Sequence, residues 1–597
     1  MPNTAKLPKR IKNKSFSAAA AERAVRNEVT VVNIPWKFQD KIDWIFNPTW
    51  KNTPVNNEWL WQLGRMYFWH DMLCCYQQSK NERYAKAFDN QLRSWIFQAD
   101  RKSALSGHNS RNTWRTIEAG IRLFDTWPAA FEIFRKSPSV SDDSICLMLA
   151  SMYEQADFLR HNHRKKRNWM LMEMSGIYTF SSEFPEFKSS SKLRQYSAKV
   201  FSKAFCGQML PDGMHNELSP DYHLASLTCA KVFIDQAQLS NRLNELPAEL
   251  INVFEAGYKA YISLAAPTLT APRTNDCYTI RLPGIFKNAL ANFPENELFK
   301  WAASERRDGK APSEKPTASR FLPYAGFIAM RSGWDKDALY CCFDVGPLGE
   351  GHWHQDKLNI NIYKGNEELI YDDGGGQYEE SDYRRYGLSA YDHNTVLVDG
   401  LAQSRQEPKQ VEQEIDADFI SNEKFDYARG IYDDTFGAEL LKPAVHQREV
   451  LFVKPDFFVV SDTLKAVDGK PHDYTMLLHM DTLNVKTAPG VIHGVFNGKY
   501  DLYAVLLSKN VEIKTESGQN SPVSGWFVGR NAETLHPATT VKVTAAAKEN
   551  FNFVTLFFPL AKDAVPPAIG KLFNGQWVIS FNGRQYQLDL NELKNNL

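Results

Sequence analysis

Glu-Arg-Arg-Asp-Gly-Lys-Ala-Pro-Ser-Glu-Lys-Pro-Thr-Ala-Ser-Arg, residues 305–320, is polar, twice interrupted by proline and free of any hydrophobic period. The chain reads differently on its two sides. Before it, apolar residues recur at three- and four-residue steps: Trp59, Leu60, Leu63, Met66, Tyr67, His70 and Leu73, then Ala85, Phe88, Leu92, Trp95 and Ile96, then Ile117, Ile121, Leu123, Phe124 and Trp127. Successive helices of about 12–20 residues predict an α/α array. After it, short runs rich in Val, Ile, Phe and Tyr alternate with turn residues: 358–363, 395–398, 450–453, 457–461, 474–479, 502–507, 553–558 and 577–581. Runs at that spacing, joined by Asp-Gly, Asn-Gly and Pro-Gly, predict an antiparallel β-sandwich. The expected fold class is a multidomain α+β chain. Its expected parts are an N-terminal extension over 1–54, a helical domain over 55–304, a linker over 305–320 and a β-sandwich domain over 321–597.

At 597 residues the chain exceeds one ordinary core. Seventy basic and seventy acidic residues cancel, which removes the electrostatic argument for a nucleic-acid or membrane-surface protein. No run of about 18 apolar residues occurs, so no membrane insertion is expected. The N-terminus has charge but no apolar segment behind it, which predicts a cytoplasmic protein unless a signal was removed from the numbering. The eight cysteines contain no Cys-x-x-Cys, and most lie in apolar surroundings as small buried hydrophobes. Fifteen Trp and 24 Tyr supply rings of the kind that line sugar clefts, although most serve a large core.

Residues able to do chemistry cluster in four places. Gly-Glu-Gly-His352-Trp-His354-Gln-Asp precedes a strand-like alternation, and on a strand residues i and i+2 share a face, which would bring both imidazoles to one site. Asp372-Asp373-Gly and Tyr-Asp-His393-Asn-Thr follow, completing the supplies for a metal or proton-transfer site. In the helical half, His161-Asn162-His163-Arg-Lys-Lys-Arg-Asn168-Trp169 leads into a helix through Met172, Glu173 and Ile177; its charge run reads equally as a solvated face. Pro211-Asp212-Gly…His215…Glu217…Ser219-Pro-Asp-Tyr222-His223 reads as a turn and then a helix start carrying Tyr222 and His223. By composition alone a Tyr-His pair is more often packing than catalysis.

Asn168-Trp-Met-Leu-Met-Glu173, Phe184-Pro-Glu-Phe-Lys188 and the Pro211 to His223 string, followed by His352-Trp-His354-Gln-Asp, Asp372-Asp-Gly and His393-Asn-Thr-Val-Leu-Val-Asp-Gly, resemble in order and spacing the heparinase II/III-like polysaccharide lyases. The resemblance covers about residues 55–400 and lies nearest the heparinase III-like branch. It implies an incomplete (α/α) toroid, on which the N-terminal extension packs, followed by an antiparallel β-sandwich. It further implies β-elimination on a uronate-containing acidic polysaccharide, a heparan sulfate or heparosan-like glycosaminoglycan in the first place. Alginate, hyaluronan, chondroitin and a bacterial exopolysaccharide are the alternative substrates. The implied catalytic residues are Asn168 to neutralise the uronate carboxylate, Tyr222 as acid or base, and His352 or His223 as base. Asn162-His163 is the alternative neutralising pair. Trp169, Glu173, Glu217, Tyr378, Arg384, Arg385 and Tyr386 are implied or suited to touch substrate, the guanidinium forks fitting carboxylate and sulfate.

His354, Asp372 and His393 resemble the family's divalent-metal triad, for which zinc is the expected ion in a structural role; Asp373 is the rival to Asp372. No organic cofactor and no nucleic-acid partner are expected, and the resemblance implies a periplasmic or secreted protein. Two readings of other classes stand beside this one. A glycoside hydrolase would use Glu173 with Glu217 or Asp212 as its two carboxylates. A non-catalytic glycan-binding protein would use the same cleft without reaction.

Overall fold

The computed structural model describes residues 16–51, 54–99, 113–315, 317–529, 535–572, 575–590 and Leu593. Its chain packs as two compact units, one formed by 1–208, 224–254 and 378–381, the other by 209–223, 255–377 and 382–597. The first 15 residues of the expected N-terminal extension lie outside the described residues.

The first unit is helical. Its elements include Glu58–Leu63, Phe68–Ser79, Glu82–Gln98, Thr116–Phe124, Thr126–Phe134, Asp142–Asn162, Asn168–Glu183 and Ser190–Gln208. The period over 59–73 spans two helices rather than one, because Met66 turns into the left-handed region at φ 59° while its side chain stays buried. The period over 117–127 likewise crosses a break at Asp125. Starts are capped where the sequence supplies caps: Ser141 Oγ accepts from the N–H of Ser144 at 3.2 Å, with Asp142 and Asp143 in the first turn.

One helix contact is made of backbone. A Cβ on Gly120 would lie 2.7 Å from the carbonyl oxygen of Met172, and one on Gly176 would lie 2.6 Å from that of Gly120. Only glycine at both positions lets Thr116–Phe124 and Asn168–Glu183 approach so closely, and the second of these helices begins at Asn168 and carries Glu173.

The second unit is built on antiparallel sheets. A five-stranded meander joins Arg320–Leu322, Phe327–Arg331, Leu339–Asp344, Ile360–Lys364 and Glu367–Ile370 in sequence order. An eight-stranded sheet carries Ala444–Val453, Phe457–Ala466, Asn550–Ala561 and Tyr500–Leu506 at its centre, and a four-stranded sheet includes His472–Met480 beside Val396–Val398. Ile328, Cys341, Phe343 and Ile362 of the first sheet share one core with Val450, Phe452, Val460 and Phe557 of the second and Met476, Leu478 and Val541 of the third, which makes a sandwich.

The other face of the meander is also covered. Phe327, Ala329, Tyr340 and Cys342 pack against Met214, Leu218, Ala260, Leu264 and Ala266. Phe327–Arg331 and Leu339–Asp344 are therefore buried at every position and show no alternation. The same packing draws 209–223 and 255–304 into the β unit, whereas the linear division expected from periodicity assigned them to the helical domain.

The Gly120 contact yields a stability prediction. Alanine gains about 1 kcal/mol of helix propensity over glycine, but a methyl forced onto backbone atoms that no side-chain rotation can clear costs about 1–3 kcal/mol or more. Gly120→Ala is expected to lower the unfolding free energy in urea, and a stabilised variant would show that the two helices can separate without cost.

Candidate active site and metal cluster

In the helical unit Asn168 is the first residue of Asn168–Glu183 and is buried. The residue before it, Arg167, is held at φ 69°, outside the helical region, so the helix starts abruptly at the asparagine. One turn on, the Glu173 carboxylate is fully buried: Oε2 accepts from the N–H of Arg164 at 2.8 Å, and Oε1 has no partner among the described residues. Burial pushes its carboxyl up to about 7, against the hydrogen bonds from Thr116 and Arg164. The Trp169 ring carries two guanidinium groups, Arg115 at 4.8 Å and Arg164 at 5.0 Å from its centre. Tyr378 also belongs to this unit.

In the β unit the centre is a residue that no motif announced. Asp276 is almost wholly buried and receives the Nδ1 of His352 on Oδ2 at 3.0 Å, with the Nε2 of His354 on Oδ1 at 3.2 Å and the guanidinium of Arg384 on Oδ1 at 2.6 Å. Burial would raise its carboxyl, but the His352 and His354 hydrogen bonds and the Arg384 charge hold it well below the usual carboxylate range. The strand argument for the histidine pair does not hold. The strand begins only at Ile360, and His352 sits in a loop at φ 61°. The two imidazoles are brought together by the two oxygens of one carboxylate instead.

With its proton on Nδ1 toward Asp276, His352 presents a lone pair at Nε2. This ring is 28% exposed, and its Nε2 lies 3.9 Å from the buried Glu217 carboxylate. Tyr222, in the first turn of Pro220–Leu239, stacks on the His352 ring with centroids 3.4 Å apart and planes 11° from parallel. Ser219, at the start of that helix, donates its hydroxyl to the Asp276 carbonyl, which ties the tyrosine-bearing turn to the same segment.

His223 is not a base here. It is fully buried, its Nδ1 accepts from the N–H of His215 at 3.1 Å and its Nε2 donates to the Gly257 carbonyl at 2.9 Å, so both nitrogens are spent on the scaffold. Burial lowers it to about 4. Arg384, Arg385 and Tyr386 fall on one short helix, Asp382–Gly387, and project in different directions at about 100° per residue. Only Arg384 reaches Asp276; Arg385 points to solvent beside Asp382, and Tyr386 is buried with its hydroxyl 3.4 Å from Thr540. Asp212 is likewise committed, its oxygens accepting from the N–H groups of Met214, Tyr324 and Ala325.

A cluster suited to a cation lies beside His354. His354, Asp356 and His393 are fully buried or nearly so, and each offers a ligand atom within 4.8 Å of the others. Nδ1 of His354 and Nε2 of His393 are buried without a hydrogen-bond partner among the described residues, which two imidazoles awaiting a cation would explain. Two of the three expected ligands are therefore in the cluster. Asp372 instead meets the Nδ1 of His393 at 3.1 Å and takes the Asn359 amide on its other oxygen, the position of a carboxylate that orients a ligating histidine. Asp356 supplies the carboxylate of the cluster, while one of its oxygens accepts from Arg405 at 2.9 Å.

Glycines close the loop around these groups. Gly374, Gly375 and Gly376 all have φ between 74° and 82°, and a Cβ on Gly375 would lie 2.4 Å from Cε1 of His354. Asp276, His215 and Asp356 were not singled out as site residues from the sequence. The first stands in Arg-Thr-Asn-Asp276-Cys-Tyr, which has neither periodicity nor motif spacing, and the last stands two residues after His354 with no spacing that assigns it a role.

Comparison with known proteins places the chain in a family. Residues 3–301 match the model of the heparinase II/III N-terminus, and residues 314–568 that of the heparinase II/III-like C-terminal domain. The chain is 28% identical to a heparin-sulfate lyase of Pedobacter heparinus over 549 residues, 89% of this chain and 79% of that one. A heparin-sulfate lyase of Bacteroides thetaiotaomicron is 20% identical over 87% of this chain and 74% of its own. The crystal structure of heparinase III superposes with a TM-score of 0.81 at 18% identity, covering 98% and 93% of the two chains. The expected fold class, an α/α toroid with an antiparallel β-sandwich, is the observed one. This chain belongs to the heparinase II/III family.

Proposed function

We propose that the chain is a polysaccharide lyase that cuts a heparan-type glycosaminoglycan by β-elimination and leaves a 4,5-unsaturated uronate end. The observation that carries this reading is the Tyr222–His352 stack anchored on Asp276. It holds a phenol ring and an imidazole face to face, a candidate acid and a candidate base in one stack. The names of the heparin-sulfate lyase relatives support the substrate class.

In this reading the C5 proton of the uronate passes to Nε2 of His352, and the C5 electron pair forms the C4–C5 double bond. The C4–O4 bond breaks, and Tyr222 gives its hydroxyl proton to O4. Negative charge building on the uronate carboxylate is met by the Asn168 amide N–H. Arg384 and Asp276 act through His352, one by fixing the carboxylate and the other by fixing the tautomer. Zinc is the cation we propose for His354, Asp356 and His393, and when bound it would hold the loop that carries His352. The hydrolase reading loses one of its carboxylates, because Asp212 is bound on both oxygens by backbone donors.

Incubation of the protein with heparan sulfate or heparosan is expected to raise near-ultraviolet absorbance from the unsaturated product. Tyr222→Phe is expected to lower kcat by about 10²-fold or more with thermal unfolding unchanged; a fully active variant would remove the acid assigned here, and water-derived ends without a double bond would indicate a hydrolase. The purified protein is expected to carry about one zinc per chain by elemental analysis, lost in His354→Ala and in His393→Ala. Full retention of zinc in both variants would place it elsewhere.

Glu173 predicts a pH dependence of stability. Its folded value of about 7 lies above the ordinary 4.5, so the folded chain keeps a proton that the unfolded chain releases. Its contribution is full below about 4.5 and is lost as pH rises through 7. Between these limits the wild type should lose on the order of 2–3 kcal/mol relative to Glu173→Gln in urea unfolding. Parallel stability curves for the two proteins would contradict a buried, protonated Glu173.

A further inference from the structure

We propose that Arg448 is a positioning residue for the cation cluster: it ties together the two segments that supply Asp356 and His393, and so sets how tightly the cation is held. The proposal rests on the reading of His354, Asp356 and His393 as a cation site. All the residues concerned belong to the β unit. Arg448 on Ala444–Val453 is the cross-strand partner of Asp462 on Phe457–Ala466. Residues two apart on a strand share a face, so the pair lies on the side of Val450 and Val460 and points into the sandwich core. Both side chains are fully buried.

The guanidinium is used on two sides. Its Nε and Nη2 donate to the two oxygens of Asp462 at 2.6 and 3.0 Å, a bidentate fork that His446 braces from Nε2 at 2.7 Å. Its Nη1 donates to two backbone carbonyls, that of Leu358 at 2.7 Å and that of Asn394. Leu358 stands two residues after Asp356, and Asn394 directly follows His393. Leu358 is held at φ 69°, a costly conformation for a branched residue that persists only where the surroundings impose it. Asn394 extends the tie: its amide donates to the carbonyls of Ile360 at 3.0 Å and Tyr371 at 2.7 Å and to Oδ1 of Asn359 at 3.1 Å. The Asn359 amide in turn donates to Asp372, the carboxylate that meets His393. A core needs no ion pair here, since apolar residues of similar volume often serve stability as well. They could not supply two donors to carbonyls from separate segments, which would otherwise be buried unsatisfied.

The test measures zinc affinity of the full chain by competition with a chromophoric chelator, with melting temperature of the zinc-free protein beside it. Four proteins are compared: wild type, Arg448→Lys, Arg448→Met/Asp462→Asn and Val450→Ala. Lysine keeps the charge, but one nitrogen cannot meet Asp462 and both carbonyls as the guanidinium does. The double variant removes both charges together, in case a buried lysine does not fold. Val450→Ala loosens the same strand without touching the tie. The Kd for zinc is expected to rise about 10-fold or more in both Arg448 variants and to stay within about twofold in Val450→Ala. Amide exchange in the zinc-free protein should quicken over 354–358 and 393–395 in the Arg448 variants and not in Val450→Ala. An unchanged Kd in a folded Arg448 variant, or a Kd that follows melting temperature alike in all variants, would overturn the proposal. Failure of both Arg448 variants to fold would overturn it too, since the pair would then serve the core itself. If the wild type binds no zinc, the cation reading fails instead, and the exchange comparison still decides whether Arg448 holds the two segments.

Discussion

One buried carboxylate organises the chemistry of the β unit. Asp276 is ionised in a place where an isolated charge would be prohibitively costly, and it is tolerated because two imidazoles and a guanidinium converge on its two oxygens. Removing one partner from such a buried set typically costs about 3–5 kcal/mol, because the remaining charge is left uncompensated. The arrangement is thus self-enforcing. Asp276 fixes His352 through Nδ1, and Asp276 can remain charged only while its partners stay.

The same residue separates the work of two neighbouring histidines. His352 takes one oxygen and keeps partial exposure; His354 takes the other and is fully buried in the cluster with Asp356 and His393. The three positive-φ glycines after Asp373 let that loop come in against the Asp276 segment, where the N–H of Cys277 donates to the Gly374 carbonyl at 3.2 Å. A side chain at Gly374 would collide with that carbonyl partner itself, its Cβ 2.1 Å from the Cys277 oxygen. Local backbone freedom, not side-chain chemistry, is what admits the cluster.

Much of this was legible before any coordinates. Each strand read from short apolar runs overlaps an observed one, and the helix start at Pro220 places Tyr222 in its first turn as Ser219-Pro-Asp suggests. Phe327–Arg331 and Leu339–Asp344 carried no alternation to read, because both faces of that sheet are covered. His352 and His354 were brought together by the right residues for the wrong reason, since a period-2 argument applies only on a strand. Asp276 was invisible because its partners lie 76 and 78 residues downstream, a separation that no local pattern encodes. His223 looked catalytic beside Tyr222, but adjacent residues on a helix diverge, and the one turned inward became a clamp between His215 and Gly257.

The glycine contact between Thr116–Phe124 and Asn168–Glu183 bears on how this protein can be re-engineered. Because backbone rests on backbone, the helix that starts at Asn168 has no slack: it cannot slide, tilt or accept a larger neighbour to suit a different sugar. The exposed residues just before it have no such constraint. Changes of sequence are therefore more easily accepted at exposed positions just before it, such as Lys165 and Lys166, than along the helix that looks at first sight like the natural handle.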